Sequence, residues 1–226
     1  MKVFCYFVEP ASYTLDLAAN VYDKKEIDYC FIKSNTLAQS NAQITKDYLD
    51  RKPFILKIRY VLNVFRNNDL IIVNGYNNYP FILSFLLNIF SINKRFLATD
   101  SDTQFSVTRN FIKRFIKWMY LSIIFRNKYV IGFSGGSSTH KDLFRNYGMR
   151  EDRIFLMPMM VDNNKFYCDI KKFPDIFTFL YVGRLVKRKG VEELIKQFNS
   201  KFSTKEAILR IVGSADQESF LKRRYE

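Results

Sequence analysis

The residues best placed to do chemistry stand between Phe179 and Phe198, in FLYVGRLVKRKGVEELIKQF. An apolar run reads as a buried strand ending at Gly183; Arg184, Lys187, Arg188 and Lys189 follow, and Gly190 opens a helix. Glycine at a strand end lets a ligand approach the backbone, and the next helix offers free N–H groups and the positive end of its dipole. Arginine and lysine in such a turn neutralise a diphosphate. The competing reading is a plain basic strand–helix turn. In LATDSDTQF, Asp100 and Asp102 stand at the carboxyl end of another strand, where aspartate commonly caps a following helix. The single histidine, His140, begins a helix after Gly135-Gly136-Ser137-Ser138 and reads as a capping or surface group, with no serine or cysteine triad near it.

These groups need a scaffold, and the chain supplies alternating strand and helix signals, the pattern of βα units feeding a parallel sheet. Strands are predicted at Lys2–Val8, Asp28–Lys33, Leu70–Val73, Arg95–Thr99, Tyr129–Phe133 and Ile154–Met157. Helices are predicted at Tyr13–Tyr22, with Leu15, Ala18, Ala19 and Tyr22 on one face, and at Lys52–Phe65 and Phe81–Phe90. Ser34–Asp50 is polar and reads as an exposed helix or a loop. The pattern breaks in VDNNKFYCDIKKFPD, after which strands at Phe177–Val182 and Ala207–Val212 alternate with helices at Val191–Phe198 and Gln217–Arg224. The expected organisation is a Rossmann-like domain over 1–165, a hinge over 166–176 and an incomplete second Rossmann-like domain over 177–226. Two parallel strands and two helices bury too little surface to stand alone, so further sequence is expected after Glu226.

The run Gly183-Arg184-Leu185, three residues, then Lys189-Gly190 and Val191-Glu192-Glu193-Leu194-Ile195 resembles the opening of the donor-binding domain in retaining GT-B glycosyltransferases of family four. LRIVGSADQESF is similar to that family's next glycine turn. Upstream, FSGGSSTHKDLFRNYGMREDRIFLMPMMVDNNKFY is similar to the segment that closes the family's first domain. The resemblance implies a GT-B fold and a nucleotide-sugar substrate, with no metal and no cofactor. It places Gly183, Arg184 and Lys189 on the donor diphosphate, with Ser12, Gly213 and Ser214 lining the donor cleft. It makes Asp100 the candidate for the acidic group that many members carry in the cleft, beside its helix-capping reading. The implied reaction transfers a sugar, with retention, to a saccharide or lipid-linked acceptor in cell-surface polysaccharide synthesis. The alternative is a truncated, inactive remnant that keeps a membrane- or partner-binding surface. Glu218 and Glu226 have the spacing of the family's glutamate pair. They follow the strand directly in a basic helix, without the glycine–proline loop, and read as an accident of composition.

Composition narrows the setting. A chain of 226 residues with 48% hydrophobic residues, 8 glycines and 5 prolines can bury a core, which excludes fibrous and low-complexity classes. MKVFCYFVEPASY puts Glu9 and Pro10 where a signal peptide would stay apolar, and it reads as a first strand. Cys5, Cys30 and Cys168 suit buried thiols rather than a disulfide framework or zinc site. A formal charge of +14 suits nucleic acid, anionic lipid or a phosphorylated small molecule as partner; no nucleic-acid-binding motif accompanies it, and no nucleic acid is expected. No acidic residue stands between Thr103 and Lys141, where Arg109, Lys113, Arg114, Lys117, Arg126 and Lys128 alternate with apolar and aromatic residues. That pattern fits a helix in the interface of an anionic membrane, or a domain helix with one buried and one basic face. The expected location is cytoplasmic, peripheral on the inner face of the membrane.

Overall fold

Each apolar run becomes a strand and each longer periodic segment a helix. The structure, a computed structural model, describes residues 1–34, 47–101, 110–136, 140–157, 175–203 and 206–225. Asp102, Arg109, Cys168 and residues 166–174 of the expected hinge lie outside them. The chain divides into two units, Met1–Phe166 and Tyr167–Glu226.

The first unit holds β1 (Val3–Phe7), α1 (Ser12–Leu17), β2 (Asp28–Phe31), α2 (Phe54–Asn67), β3 (Leu70–Asn74), α3 (Tyr79–Phe90), β4 (Phe96–Ser101), α4 (Phe111–Arg126), β5 (Val130–Ser134), α5 (Lys141–Asn146) and β6 (Ile154–Leu156). All strand pairs are parallel, in the order β2-β1-β3-β4-β5-β6. Beyond β2, Tyr48 forms a parallel bridge to Phe31, and Leu49 N–H donates to the Phe31 carbonyl. With this returning segment counted as a strand, the order is that of a Rossmann sheet, and the switch point lies between β1 and β3. The first unit is therefore an α/β domain on a parallel sheet.

Two packed faces hold the sheet. On one, Tyr6, Ile71, Val73, Leu97 and Val130 meet Val61 and Phe65 of α2, Phe81 and Phe85 of α3, Leu121 and Phe125 of α4, and Phe144 of α5. On the other, Cys5, Phe7, Tyr29 and Phe31 meet Ala18 and Tyr22. The helix predicted over Tyr13–Tyr22 is α-helical only to Leu17 and continues as a π-helical turn over Ala18–Tyr22. Leu15, Ala18 and Tyr22 of the expected inner face pack inward, joined by Thr14, while the wider turn leaves Ala19 exposed. Cys5 and Cys30 are buried free thiols. Burial pushes Cys30 up to about 12 and Cys5 higher still, which keeps both protonated.

Helix ends are closed by local chemistry. Gly148, at φ +90°, ends α5: its N–H donates to the Arg145 carbonyl, and Met149 N–H donates to the Phe144 carbonyl, a Schellman arrangement. Asn88 accepts from Arg95 N–H and donates to the Arg95 carbonyl, tying α3 to the start of β4.

The second unit holds β7 (Phe177–Val182), α6 (Val191–Lys201), β8 (Ala207–Val212) and α7 (Glu218–Tyr225). Its two parallel strands pair from Phe177↔Ala207 to Val182↔Val212. Leu185, Val191, Ile195 and Leu221, with Tyr181, Leu209 and Ile211, form its core.

Phe125 is fully buried, 5.0 Å from the Phe144 ring and 5.6 Å from that of Tyr76. Phe125→Ala should therefore lower stability by about 3–5 kcal/mol, read as a reduced urea midpoint of the first unit with an unchanged m-value.

Candidate functional site

In the second unit the basic turn is built by two glycines and a set of backbone bonds. Gly183 N–H donates to the Val212 carbonyl at 3.0 Å, Leu185 N–H to the Ser214 carbonyl at 3.1 Å, and Gln217 N–H to the Leu185 carbonyl at 3.0 Å. The turns after β7 and β8 are thus stitched side by side at the carboxyl edge of the sheet. A Cβ on Gly213 would stand 1.8 Å from the Gly183 carbonyl oxygen, so only glycine fits there. This close approach is a packing demand between the two turns themselves. Lys187–Lys189 forms a 3-10 turn, and Gly190, at φ +65°, redirects the chain into α6.

The structure brings Gly183, Arg184, Lys189, Gly213 and Ser214 together in this unit. Arg184, Lys187, Arg188 and Lys189 are all exposed, and none of them makes an ion pair among the described residues. Concentrated like charge of this kind attracts a multivalent anion. No side chain caps the start of α6. Glu192 and Glu193 occupy its first turn, so carboxylates already answer the helix dipole. Lys196, 2.8 Å from Glu192, holds that carboxyl below its ordinary value, helped by Arg224 at 3.6 Å. The four cations of the turn stand exposed just before the start of α6.

Ser12 and Asp100 belong to the first unit. Ser12 is the first residue of α1, following the carboxyl end of β1. Asp100 lies inside β4, beside Asn74 of β3 in the register. Its Oδ2 accepts from Asn74 Nδ2 at 2.6 Å and its Oδ1 from Gly75 N–H at 2.7 Å. The carboxylate fixes the turn between β3 and α3, where Gly75 sits at φ +82° and Asn78 Nδ2 donates to the Asn74 carbonyl. The next described helix, α4, begins at Phe111 and is capped by Asn110, whose Oδ1 accepts from Lys113 N–H at 3.1 Å. Asn74 and Gly75 were not singled out in the sequence; their signal was the Asn–Gly pair closing a strand. His140 packs its ring on Gly136 and bonds through Nδ1 to the Gly135 carbonyl, a local closure of the turn before α5.

Among the described residues, no group of three or more His, Cys, Asp or Glu side chains is placed to hold a metal ion. No helix among them is long and apolar enough to cross a membrane.

No family model matches the chain. No curated protein sequence matches it either. Among solved structures, the UDP-GlcNAc 2-epimerase from Methanocaldococcus jannaschii is similar with a TM-score of 0.44 and 13% sequence identity, over 99% of this chain and 68% of that one.

Two substitutions test this geometry. Gly213→Ala forces the two turns apart and should cost about 1–3 kcal/mol, seen as lost amide-exchange protection in β7 and β8 with β1–β5 unchanged. Asp100→Ala removes a charged acceptor from two donors and should cost about 1–3 kcal/mol, with the largest NMR shift at the Gly75 amide.

Proposed function

We propose that the chain belongs to a nucleotide-sugar-dependent glycosyltransferase of GT-B type, whose donor diphosphate is received by the turn Gly183–Lys189. The observation that carries the reading is the stitched pair of turns at the carboxyl edge of β7 and β8, with four exposed cations that no carboxylate pairs among the described residues. The edge of parallel strands is where open α/β sheets bind their ligands. In this reading Arg184 and Lys189 contact the diphosphate, while Gly183, Gly213 and Ser214 keep the turn low enough for the donor to approach. Departure of the nucleoside diphosphate develops negative charge on phosphate and positive charge on the sugar. Cations fixed at that phosphate stabilise the transition state more than the ground state, without a metal ion. The sugar passes with retention to a saccharide or lipid-linked acceptor in the synthesis of cell-surface polysaccharide. Asp100 acts through the β3–α3 turn, holding Asn74 and Gly75 beside the switch point.

A second reading is a protein that binds through its charged surfaces without catalysing transfer. The commitment of both Asp100 oxygens to Asn74 and Gly75 favours it, since the nominated carboxylate is already in use.

Saturation-transfer NMR with UDP and GDP separates the possibilities. The wild-type chain should bind at least one of them, and Arg184→Ala with Lys189→Ala should weaken binding by roughly 100-fold or more, from about 1.5–3 kcal/mol per charged hydrogen bond. Unchanged binding in the double variant would sink the diphosphate assignment. Binding without sugar release from UDP- and GDP-sugars would select the second reading.

A further inference from the structure

The helices α2, α3 and α4 bury their inner residues in one core against one face of the sheet, so their outer residues share the opposite side. That outer side is apolar where a domain surface is normally polar. On α4, Ile112, Ile116, Met119 and Ile123 recur at helical spacing and are 68%, 54%, 46% and 57% exposed. They stand opposite the buried Leu121 and Phe125, so the apolar stripe faces solvent instead of the core. Phe115 and Trp118 stack beside it, both exposed. Leu86 and Phe90 of α3 and Ile55 of α2 add further exposed apolar area. α4 has the buried face expected of a domain helix, but the face opposite it is apolar rather than basic.

Charge identifies the occupant. The three helices carry Lys57, Arg59, Arg66, Lys113, Arg114, Lys117 and Arg126 and not one carboxylate. Lys113 and Arg114 sit in the first turns of α4, where cations oppose the helix dipole, so their charge does not serve the helix itself. Arg59 and Arg66 of α2 lie opposite its buried Val61, Val64 and Phe65, and Arg126 and Lys113 border the stripe of α4, so the apolar band is edged by exposed cations. Such a surface complements a bilayer bearing negative headgroups, with the apolar residues at the acyl boundary and the cations among the headgroups. α4 spans about 24 Å at 1.5 Å per residue. Its C-terminal end leads directly into the start of β5, so Phe111 stands toward the carboxyl edge of the sheet, the edge that carries Asp100.

We propose that the outer face of the α2–α3–α4 layer docks on an anionic lipid bilayer, with the outward stripe of α4 entering the interface. The inference stands on these helices alone; joined to the transferase reading, it brings a lipid-linked acceptor to the edge where the strands of the first unit end.

Trp118 is the only tryptophan, so its fluorescence reports on this face directly. With vesicles of phosphatidylcholine and phosphatidylglycerol, Trp118 emission should shift to the blue and be quenched by brominated acyl chains, and added salt should reverse the binding. Arg59→Glu, Arg66→Glu and Lys113→Glu together should lower partitioning about 100-fold or more, at roughly fivefold per cation. Ile112→Ser, Ile116→Ser and Met119→Ser together should abolish the quenching. Both sets change exposed or half-buried side chains, and a far-UV CD melt shared with wild type shows that they leave the fold intact. The proposal is overturned by absence of a shift with anionic vesicles, by equal binding to pure phosphatidylcholine, by partitioning that survives either triple variant, or by a Trp118 response to single-stranded RNA and not to lipid. Nucleotide binding in the same samples reads the second unit separately, so loss of one function does not imply loss of the other.

Discussion

Parallel strands have to be buried on both faces, and most of this architecture follows from that constraint. In the first unit it is met by the core under α2, α3, α4 and α5 on one side and by the aromatic cluster around Phe7, Tyr22 and Phe31 on the other. Because the strands are parallel, their carboxyl ends share one edge, and the turns after β1 and β3 gather there with the end of β4. Asp100 can reach Asn74 and Gly75 only because β3 and β4 run side by side in register. The second unit meets the constraint on one side, with α6 and α7 over Tyr181, Leu209 and Ile211. Leu180, Val182, Ile208 and Val212 are exposed.

Charge is distributed with equal economy. Some surface cations are paired: Arg145 with Glu151 and Asp142, Lys52 with Asp47, and Arg95 with Asp69. Among the described residues, those of the turn from Arg184 to Lys189 and of the first turns of α4 make no ion pair, the former at a strand edge and the latter on a helix. Exposed ion pairs contribute little to stability, so leaving these cations unpaired costs the fold almost nothing. What they supply is local potential. At the turn it is concentrated within a few residues and suits a compact diphosphate. Along the helices it is spread over a plane and suits a surface.

Glycine has two distinct uses in the candidate donor site. Gly190 supplies a left-handed backbone at the entry to α6. Gly213 instead yields space to the carbonyl of Gly183, which locks the two turns together before any ligand arrives. A site assembled this way is rigid in its backbone and adjustable in its long basic side chains.

From sequence alone, β7 and β8 could be read residue for residue and the other strands to within a residue or two. Buried parallel strands write continuous apolar runs, and the glycine, asparagine and aspartate that end them leave local marks. The basic turn was legible for the same reason, since its residues are neighbours in the chain. Contacts between distant segments were not. The clash that reserves residue 213 for glycine, the clamp of Asp100 on Asn74 and Gly75, and the bridge of Tyr48 to Phe31 depend on which strands lie side by side. The π-turn after Leu17 and the outward direction of the apolar stripe on α4 were likewise decided by packing. Periodicity fixes that a helix has an apolar face; only the core it docks against decides whether that face turns inward or to solvent.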